Sequence, residues 1–296
     1  MAHIKECFRS RFGSEGVIVE ADFSQLEVIG AAIVSNDPMM KQDILDGIDS
    51  HCQSAAWLNP KYSYEEIRQG YLEEDAYFSK LRKNAKAPRF ELQYGAGAKS
   101  IAANNGLTVE QAQGFIDRYY ERYAILKKFQ EHVMDCVKRS IKPSERRSPS
   151  GLPLGVGKWK SSTGRIYTFY EQEAPKFMQD KGTLTSISPT QIANYPMQGF
   201  STGDIVPEVL GRLHRALSED DELYDFFLPI NTIHDSIIFD VHTSVLTRGS
   251  RIVKETMEKA PQWMWERFGI DIDLPLGVDL EYGVTWEHLT KLEIEE

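Results

Sequence analysis

Cysteine is scarce: Cys7, Cys52 and Cys136 are the only three in 296 residues. They are too few and too scattered for a disulfide framework or a zinc site. No apolar run approaches the ~20 residues a membrane span needs. The opening stretch MAHIKECFRSRFG lacks the apolar centre and cleavage pattern of a secretion signal. Repeats and low-complexity segments are missing too. Positive charge is in deficit, with 34 Lys and Arg against 44 Asp and Glu and a net charge of −10. What is present is globular in composition, 41% hydrophobic and 26% charged, which excludes wholesale disorder. The plain expectation is a protein of a reducing cytoplasm, without a membrane partner.

The charge deficit counts against a nucleic-acid partner, but it is unevenly spread. Residues 80–99 hold six basic side chains against Glu91 alone, and residues 118–147 hold nine against four acids. The acids gather in SEDDE at 218–222 and in the stretch 279–296, which holds six. A local basic surface on an acidic protein is one reading of this pattern. A solvated helix face is the other.

EGVIVEADF (15–23) reads as a strand from its β-branched Val17, Ile18 and Val19. Ser24-Gln25-Leu26-Glu27 then offers a capping box, and Leu26, Ile29, Gly30 and Ile33 recur at helical spacing. Long helical regions are predicted over 64–93 and 109–139. Residues 140–190 are rich in Ser, Pro, Gly and Thr and read as loops with short hairpins. SPTQIANYPMQGFSTGDIV (188–206) leads into a helix ending near Leu217. LPINTI and SIIFDV read as strands around His234-Asp235, followed by an amphipathic helix at 251–268 and a strand within 274–283. Strands at both ends and helices between them predict one α+β domain interrupted by a helical insertion.

Two aspartates stand out by context. Asp22 ends one strand, and Asp235 sits at the turn between two others. Buried carboxylates are usually paired or bind metal. Two of them converging from separate strands would make an all-oxygen site suited to Mg²⁺. Singly, each reads equally as a strand end or turn residue. Arg82, Lys86 and Phe90 follow i, i+4, i+8 spacing, with Tyr94 four residues on, so they wind slowly along one helix face. Two cations one turn apart suit a polyphosphate, and the aromatic next along suits a base. Pro88 within this run removes a backbone donor.

Together these segments resemble the family A DNA polymerases, the DNA polymerase I type, and most closely the phage versions. EADFSQLE (20–27) resembles the family's first motif, RKNAKAPRFELQYG (82–95) its second, and IHDS (233–236) its His-Asp hairpin. NYPMQG (194–199), DSHCQSAA (49–56) and LEYGVTW (280–286) are similar to three further family segments in the family's order. The resemblance implies an antiparallel-sheet palm, 1–58 with 196–296, and an inserted, mostly helical fingers subdomain, 59–195. It implies template-directed addition of dNTPs to a primer 3′-hydroxyl, with pyrophosphate release. Two Mg²⁺ ions, with Mn²⁺ as a substitute, would be held by Asp22, Asp235 and the backbone carbonyl of Phe23. Lys86, Arg82 and His51 would meet the triphosphate, with Lys86 also a candidate acid. Phe90 would stack on the incoming nucleotide, and Gln25 and Glu27 would border it, Glu27 as a gate against a 2′-hydroxyl. Tyr94, Asn194, Gln198 and His234 would meet the DNA primer–template.

The resemblance has departures. Ile29 and Thr190 stand where the family usually has arginine, and Ser236 stands where the third motif usually has glutamate. His-Asp-Ser is also the form found in single-subunit RNA polymerases of the phage and mitochondrial type. Those lack the gate glutamate that Glu27 supplies here. A catalytically inactive DNA-binding or assembly subunit is the alternative from another class, and the joint presence of Asp22, Asp235, Lys86 and Arg82 argues against it. The first motif begins at residue 20, so the expectation is a right hand lacking a thumb. A separate polypeptide would carry the thumb and exonuclease-like domain. It would dock on an exposed apolar surface near the N-terminus. A phage origin would place the protein in the bacterial host cytoplasm.

Overall fold

The computed structural model describes residues 4–294. β1 (Gly16–Phe23) leads into α1 (Leu26–Ser35), and a helical stretch follows. It comprises α2 (Pro38–Leu45), α3 (Ser50–Leu58), α4 (Tyr64–Leu72), α5 (Ala76–Gln93), α6 (Ala98–Asn105), α7 (Val109–Arg122) and α8 (Ala124–Arg139). β2 (Lys142–Arg147), β3 (Pro153–Lys160) and β4 (Ile166–Tyr170) form a small antiparallel sheet. The short β5 (Gln172–Glu173), α9 (Lys176–Gln179) and β6 (Thr185–Ser186) lead to α10 (Pro189–Phe200). A π turn, Ser201–Ile205, joins α10 to α11 (Val206–Ser218). Then come α12 (Asp221–Phe226), β7 (Phe227–Ile233), β8 (Ser236–His242), α13 (Leu246–Glu258), α14 (Ala260–Phe268), β9 (Val278–Gly283) and β10 (Thr290–Lys291). The chain is α+β and divides into two compact units, Met1–Gly30 with Gln198–Glu296, and Ala31–Met197.

The first unit is built on an antiparallel sheet of order β10-β9-β1-β8-β7. β1 lies at its centre, and the period of two sorts its side chains by face. Val17, Val19, Ala21 and Phe23 point one way and are buried. α13 lies against β1 and β9. Losing Phe23, 1% exposed, to alanine would cost about 3–5 kcal/mol. Ile18, Glu20 and Asp22 point the other way. There Ile18 packs with Ile238 and Trp286, and the Trp286 indole N–H donates to Glu20 Oε2 at 2.7 Å.

The second unit packs α3 against α5 and α7, with α4 on α5. Cys52, Ala55, Ile67 and Ala85 form a core of small side chains edged by Tyr71, Phe78 and Leu81. Gly70 is required there, since a Cβ would lie 2.2 Å from the Phe78 ring. Buried polar groups tie the helix ends. Asp37 caps α2 through Met39 N–H and Met40 N–H, and its second oxygen accepts from Ile125 N–H and Leu126 N–H at the start of α8. Asp43 accepts from the Arg122 guanidinium and from the Tyr123 hydroxyl. The small sheet lies on α8, around Val133, Val137 and Phe169.

Several elements differ from the sequence-based expectation. The helix predicted over 64–93 breaks at Glu73-Glu74-Asp75, where Glu74 takes φ 58° and Asp75 caps the next helix. The one predicted over 109–139 breaks at Tyr123. The short hairpins expected within 140–190 join over residues 142–170 into one three-stranded sheet. α5 runs unbroken through Pro88. Residues 31–58, expected with the terminal segments, group with the second unit.

Candidate active site

Asp22 is the next-to-last residue of β1. It pairs in register with Ser236 of β8 on one side and Asp279 of β9 on the other. Asp235 adjoins Ser236 in the two-residue loop between β7 and β8, so the hairpin carries it to the strand beside Asp22. The loop is tight: Ile233 pairs with Ser236, and His234 takes φ 53°. Left-handed backbone at a non-glycine residue is strained and is held by the flanking strands. Ser236, 4% exposed, donates its hydroxyl to Ile233 O at 3.1 Å and so fastens the hairpin. An ionised glutamate there could not make that bond, because a carboxylate only accepts.

More carboxylates share the Asp22 face than the motifs indicated. Glu20 lies opposite Glu281 as Asp22 lies opposite Asp279, two like-charged cross-strand pairs. They line an open cleft of about 530 Å³ with Lys5, Trp286, Glu287 and Lys291. Burial, then the charges of Asp235, Glu20, Asp279 and Glu281, push the Asp22 carboxyl up to about 7. Burial likewise raises Asp235, against its own backbone N–H and the nearby His234. Two half-buried carboxyls held reluctant to ionise are a hard oxygen donor set whose cost a divalent cation would relieve. Among the described residues no three His, Cys, Asp or Glu side chains converge into a ready cage. Phe23 ends β1 with its side chain in the core, in register with Val278 of β9.

Ser24 donates its hydroxyl to Asp279 at 2.7 Å and its N–H to Gly277 O at 2.9 Å. It thus ties β1 to the β9 segment instead of closing the expected capping box. Gln25, exposed with φ 59°, turns the chain, and its carbonyl accepts from Val28 N–H and Ile29 N–H. Glu27 follows, half-buried in the first turn of α1. Gln198 and Asn194 are half-buried and four residues apart on α10, and His234 is exposed.

The cationic residues belong to the second unit. Asp49 caps α3 by accepting from His51 N–H and Cys52 N–H at 2.9 Å each. It also grips Arg82 at 2.9 Å and Arg68 at 3.3 Å, while the Arg82 plane lies 4.3 Å over Tyr71. Burial is the largest influence and would raise the Asp49 carboxyl, but the bond and charge of Arg82 together with the Cys52 and His51 N–H groups hold it below its usual range. Lys86 and Phe90 stand exposed one and two turns beyond Arg82. The His51 ring sits 5.9 Å from the Phe90 ring. Burial first, then Arg82, push the His51 imidazole down to about 4, so it is neutral at pH 7. Its Nδ1 is buried without a partner. Tyr94 closes α5, and Gly95 beside it takes φ 79° against the backbone of Thr190.

Arg89 escaped the sequence reading. It is 2% exposed and its guanidinium lies 4.6 Å over Tyr119 and 5.8 Å from Tyr123. The signal was available: Ala85, Pro88, Arg89 and Leu92 share the face of α5 opposite Lys86 and Phe90. For Asp279 and Glu281 it was their alternation with apolar neighbours in β9.

The comparisons with known proteins agree. The chain is 24% identical to DNA polymerase I of Bacillus caldotenax over 275 residues, covering 92% of this chain and 26% of that protein. It is 26% identical to DNA polymerase I of Lactococcus lactis over 272 residues, with coverage of 92% and 26%. The chain therefore spans about a quarter of the length of these curated relatives. Its fold is similar to that of the POL domain of Pol1 from M. smegmatis, solved in complex with DNA primer-template and dNTP. The TM-score is 0.64 and the identity 20%, over 96% of this chain and 42% of that one. A family model for DNA polymerase family A matches residues 1–288, nearly the whole length, and the chain belongs to that family.

Proposed function

We propose that the chain is the palm and fingers of a template-directed DNA polymerase. The sheet unit would serve as palm and the unit Ala31–Met197 as fingers. The observation that carries the reading is the pairing of Asp22 with the His234-Asp235 hairpin, on adjacent strands, with both carboxyls raised. Two Mg²⁺ ions, or Mn²⁺, when held by Asp22, Asp235 and the Phe23 carbonyl, supply activation of a primer 3′-hydroxyl and neutralisation of the triphosphate.

The chain's own residues do the rest. Lys86, exposed on α5, meets the phosphates of a dNTP and is placed to protonate the leaving pyrophosphate. Arg82 reaches the phosphates from a guanidinium that Asp49 and Tyr71 have already oriented, which reduces the entropy lost on binding. His51 arrives neutral and offers an N–H donor. Phe90 stacks on the base and Tyr94 packs where the template enters. Glu27, beside Gln25 on the turn into α1, closes the space a 2′-hydroxyl would need and so selects deoxynucleotides. Asn194, Gln198 and His234 meet the minor groove and primer end, where the acceptor pattern is alike for every base pair. Ser236 acts in the hairpin and not on the substrate.

The exposed Ile4, Phe8 and Val284 of the sheet unit support a docking surface for a separate, thumb-bearing polypeptide of the cytoplasm. Single-nucleotide primer extension tests the reading, with Mg²⁺, dNTP or rNTP, and Asp235→Ala as control. Extension with dNTP alone that vanishes in the variant supports it. Equal use of rNTP would sink the gate assignment, and unchanged extension by Asp235→Ala would sink the site.

A further inference from the structure

The small sheet β2-β3-β4 plays no part in the chemistry above, yet its outward face is built unusually. Strand pairing sets Val156 against Tyr170, Lys158 against Thr168, and Lys160 against Ile166, with Lys142 opposite Val156 from the other side. The alternate residues Gly157, Trp159, Tyr167 and Phe169 face α8. Gly157 sits so close that a Cβ would meet Val137 at 2.7 Å. The even-numbered face of β3 is therefore the outer one. It carries Lys142, Lys158 and Lys160, and Arg146 reaches onto it with its guanidinium 4.3 Å over the Tyr170 ring.

Three features separate this face from an ordinary solvated surface. It is of one sign: residues 138–165 hold eight Lys and Arg against Glu145 alone, in a chain of net charge −10. Lys142, Arg146, Lys158 and Lys160 are exposed and form no ion pair among the described residues. Like charges there repel each other with no structural return. Beside them Tyr170 is 45% and Ile166 60% exposed, an aromatic and an aliphatic surface set among cations.

We propose that this face binds single-stranded nucleic acid. Lys142, Arg146, Lys158 and Lys160 contact successive phosphates, and Tyr170 gives a base a ring to stack on once Arg146 swings to a phosphate. Side chains two apart on a strand repeat every ~6.6–6.8 Å, which suits a polyanion lying along the strand. Cations interleaved with an exposed aromatic are the combination that binds single strands without sequence preference. The surface shares no residue with the carboxylate site, and it stands whether or not that site is catalytic.

The test is fluorescence anisotropy of a labelled oligo-dT strand with the full chain, without divalent cation, across a salt series. The triple variant Arg146→Gln, Lys158→Gln, Lys160→Gln is expected to lose at least tenfold in affinity at low salt. The slope of log K against log salt should fall by about 2, since each single-strand phosphate contact contributes about 0.7. Tyr170→Ala should lose about tenfold with the slope kept. Lys158→Arg with Lys160→Arg should retain binding. Removing the same charge at Lys61, Lys80 and Lys254 should leave it unchanged, which separates location from net charge. Equal binding by the triple variant and the wild-type chain, with equal slopes, overturns the proposal. So does an equal loss towards polyglutamate or anionic vesicles that is indifferent to Tyr170→Ala, because the face would then attract any anion.

Discussion

The two compact units of this chain carry opposite charge. Met1–Gly30 with Gln198–Glu296 holds 25 acidic against 11 basic side chains, net −14, while Ala31–Met197 holds 19 against 23, net +4. An average of −10 conceals this split. In the first unit Glu20, Asp279 and Glu281 share one sheet face with Asp22, and their charges add to the burial that raises its carboxyl. In the second, Asp49 and Asp43 are spent locally on Arg82, Arg68 and Arg122, leaving Lys86 and the small-sheet lysines open to solvent.

The comparison breaks most decisively at its two poles. Asp235→Ala or Asp22→Ala should reduce single-nucleotide extension by about 10³-fold or more, from the typical worth of preorganised charge stabilisation. Lys86→Ala should cost less, about 10²-fold, the usual contribution of a general acid. Full extension by any of the three would show that its unit's charge is idle.

Stability sharpens the contrast next. Each unit offers a buried acid bound to two side chains: Asp43 takes Arg122 and the Tyr123 hydroxyl, and Glu208 takes Arg212 and Arg267. Asp43→Ala should cost about 2–4 kcal/mol in urea unfolding, because it strands the half-buried Arg122 cation and leaves the Tyr123 hydroxyl with Gln53 alone. Arg89→Met should be close to neutral, since it exchanges a buried guanidinium on two rings for an apolar chain of similar length.

The smallest effects are those of pH, and their signs are opposed. The Asp22 carboxyl is raised from 3.8 to about 7 on folding. The folded state then holds a proton the unfolded chain has released, so stability falls as pH rises from about 4 through about 7. Asp22→Asn should raise the metal-free melting temperature at pH 8 by about 2 °C or more and leave it unchanged at pH 3.5. The His51 imidazole is lowered from 6.5 to about 4. Here the unfolded chain binds the proton first, so stability is complete above pH 6.5 and is lost as pH falls towards 4. His51→Gln should flatten that acidic limb alone. Melting curves of both variants between pH 3.5 and 8 check the pair, and a shared sign would refute the assignment.

Much of this was legible in the residues. β1, the hairpin and the inserted helices follow from β-branched runs and helical spacing, and the motifs brought Asp22 and Asp235 into one site. What escaped depends on contacts between distant segments. Glu74 breaks a helix with a left-handed residue that carries no glycine signal. Arg89 is buried only because Tyr119 and Tyr123 of another helix offer their rings. The small sheet was legible only as short hairpins, because its inner face relies on Gly155 and Gly157 where a strand signal needs β-branched residues. Ser24 completes a capping-box pattern, yet Asp279, more than 250 positions away, claims its hydroxyl.

The π turn Ser201–Ile205 has a consequence for angular phase. Pro207 has no N–H to donate to the carbonyl four residues back, and the chain answers with one residue more than an α-helix would use. At 3.6 residues per turn, one additional residue rotates everything downstream by about 100°. Gln198 is thereby uncoupled in azimuth from Val206, Val209, Leu213 and Leu217, which form the buried stripe of α11. Deleting one residue from this turn would leave both helices intact as helices and point the stripe at solvent, a fault of timing along the screw rather than of composition.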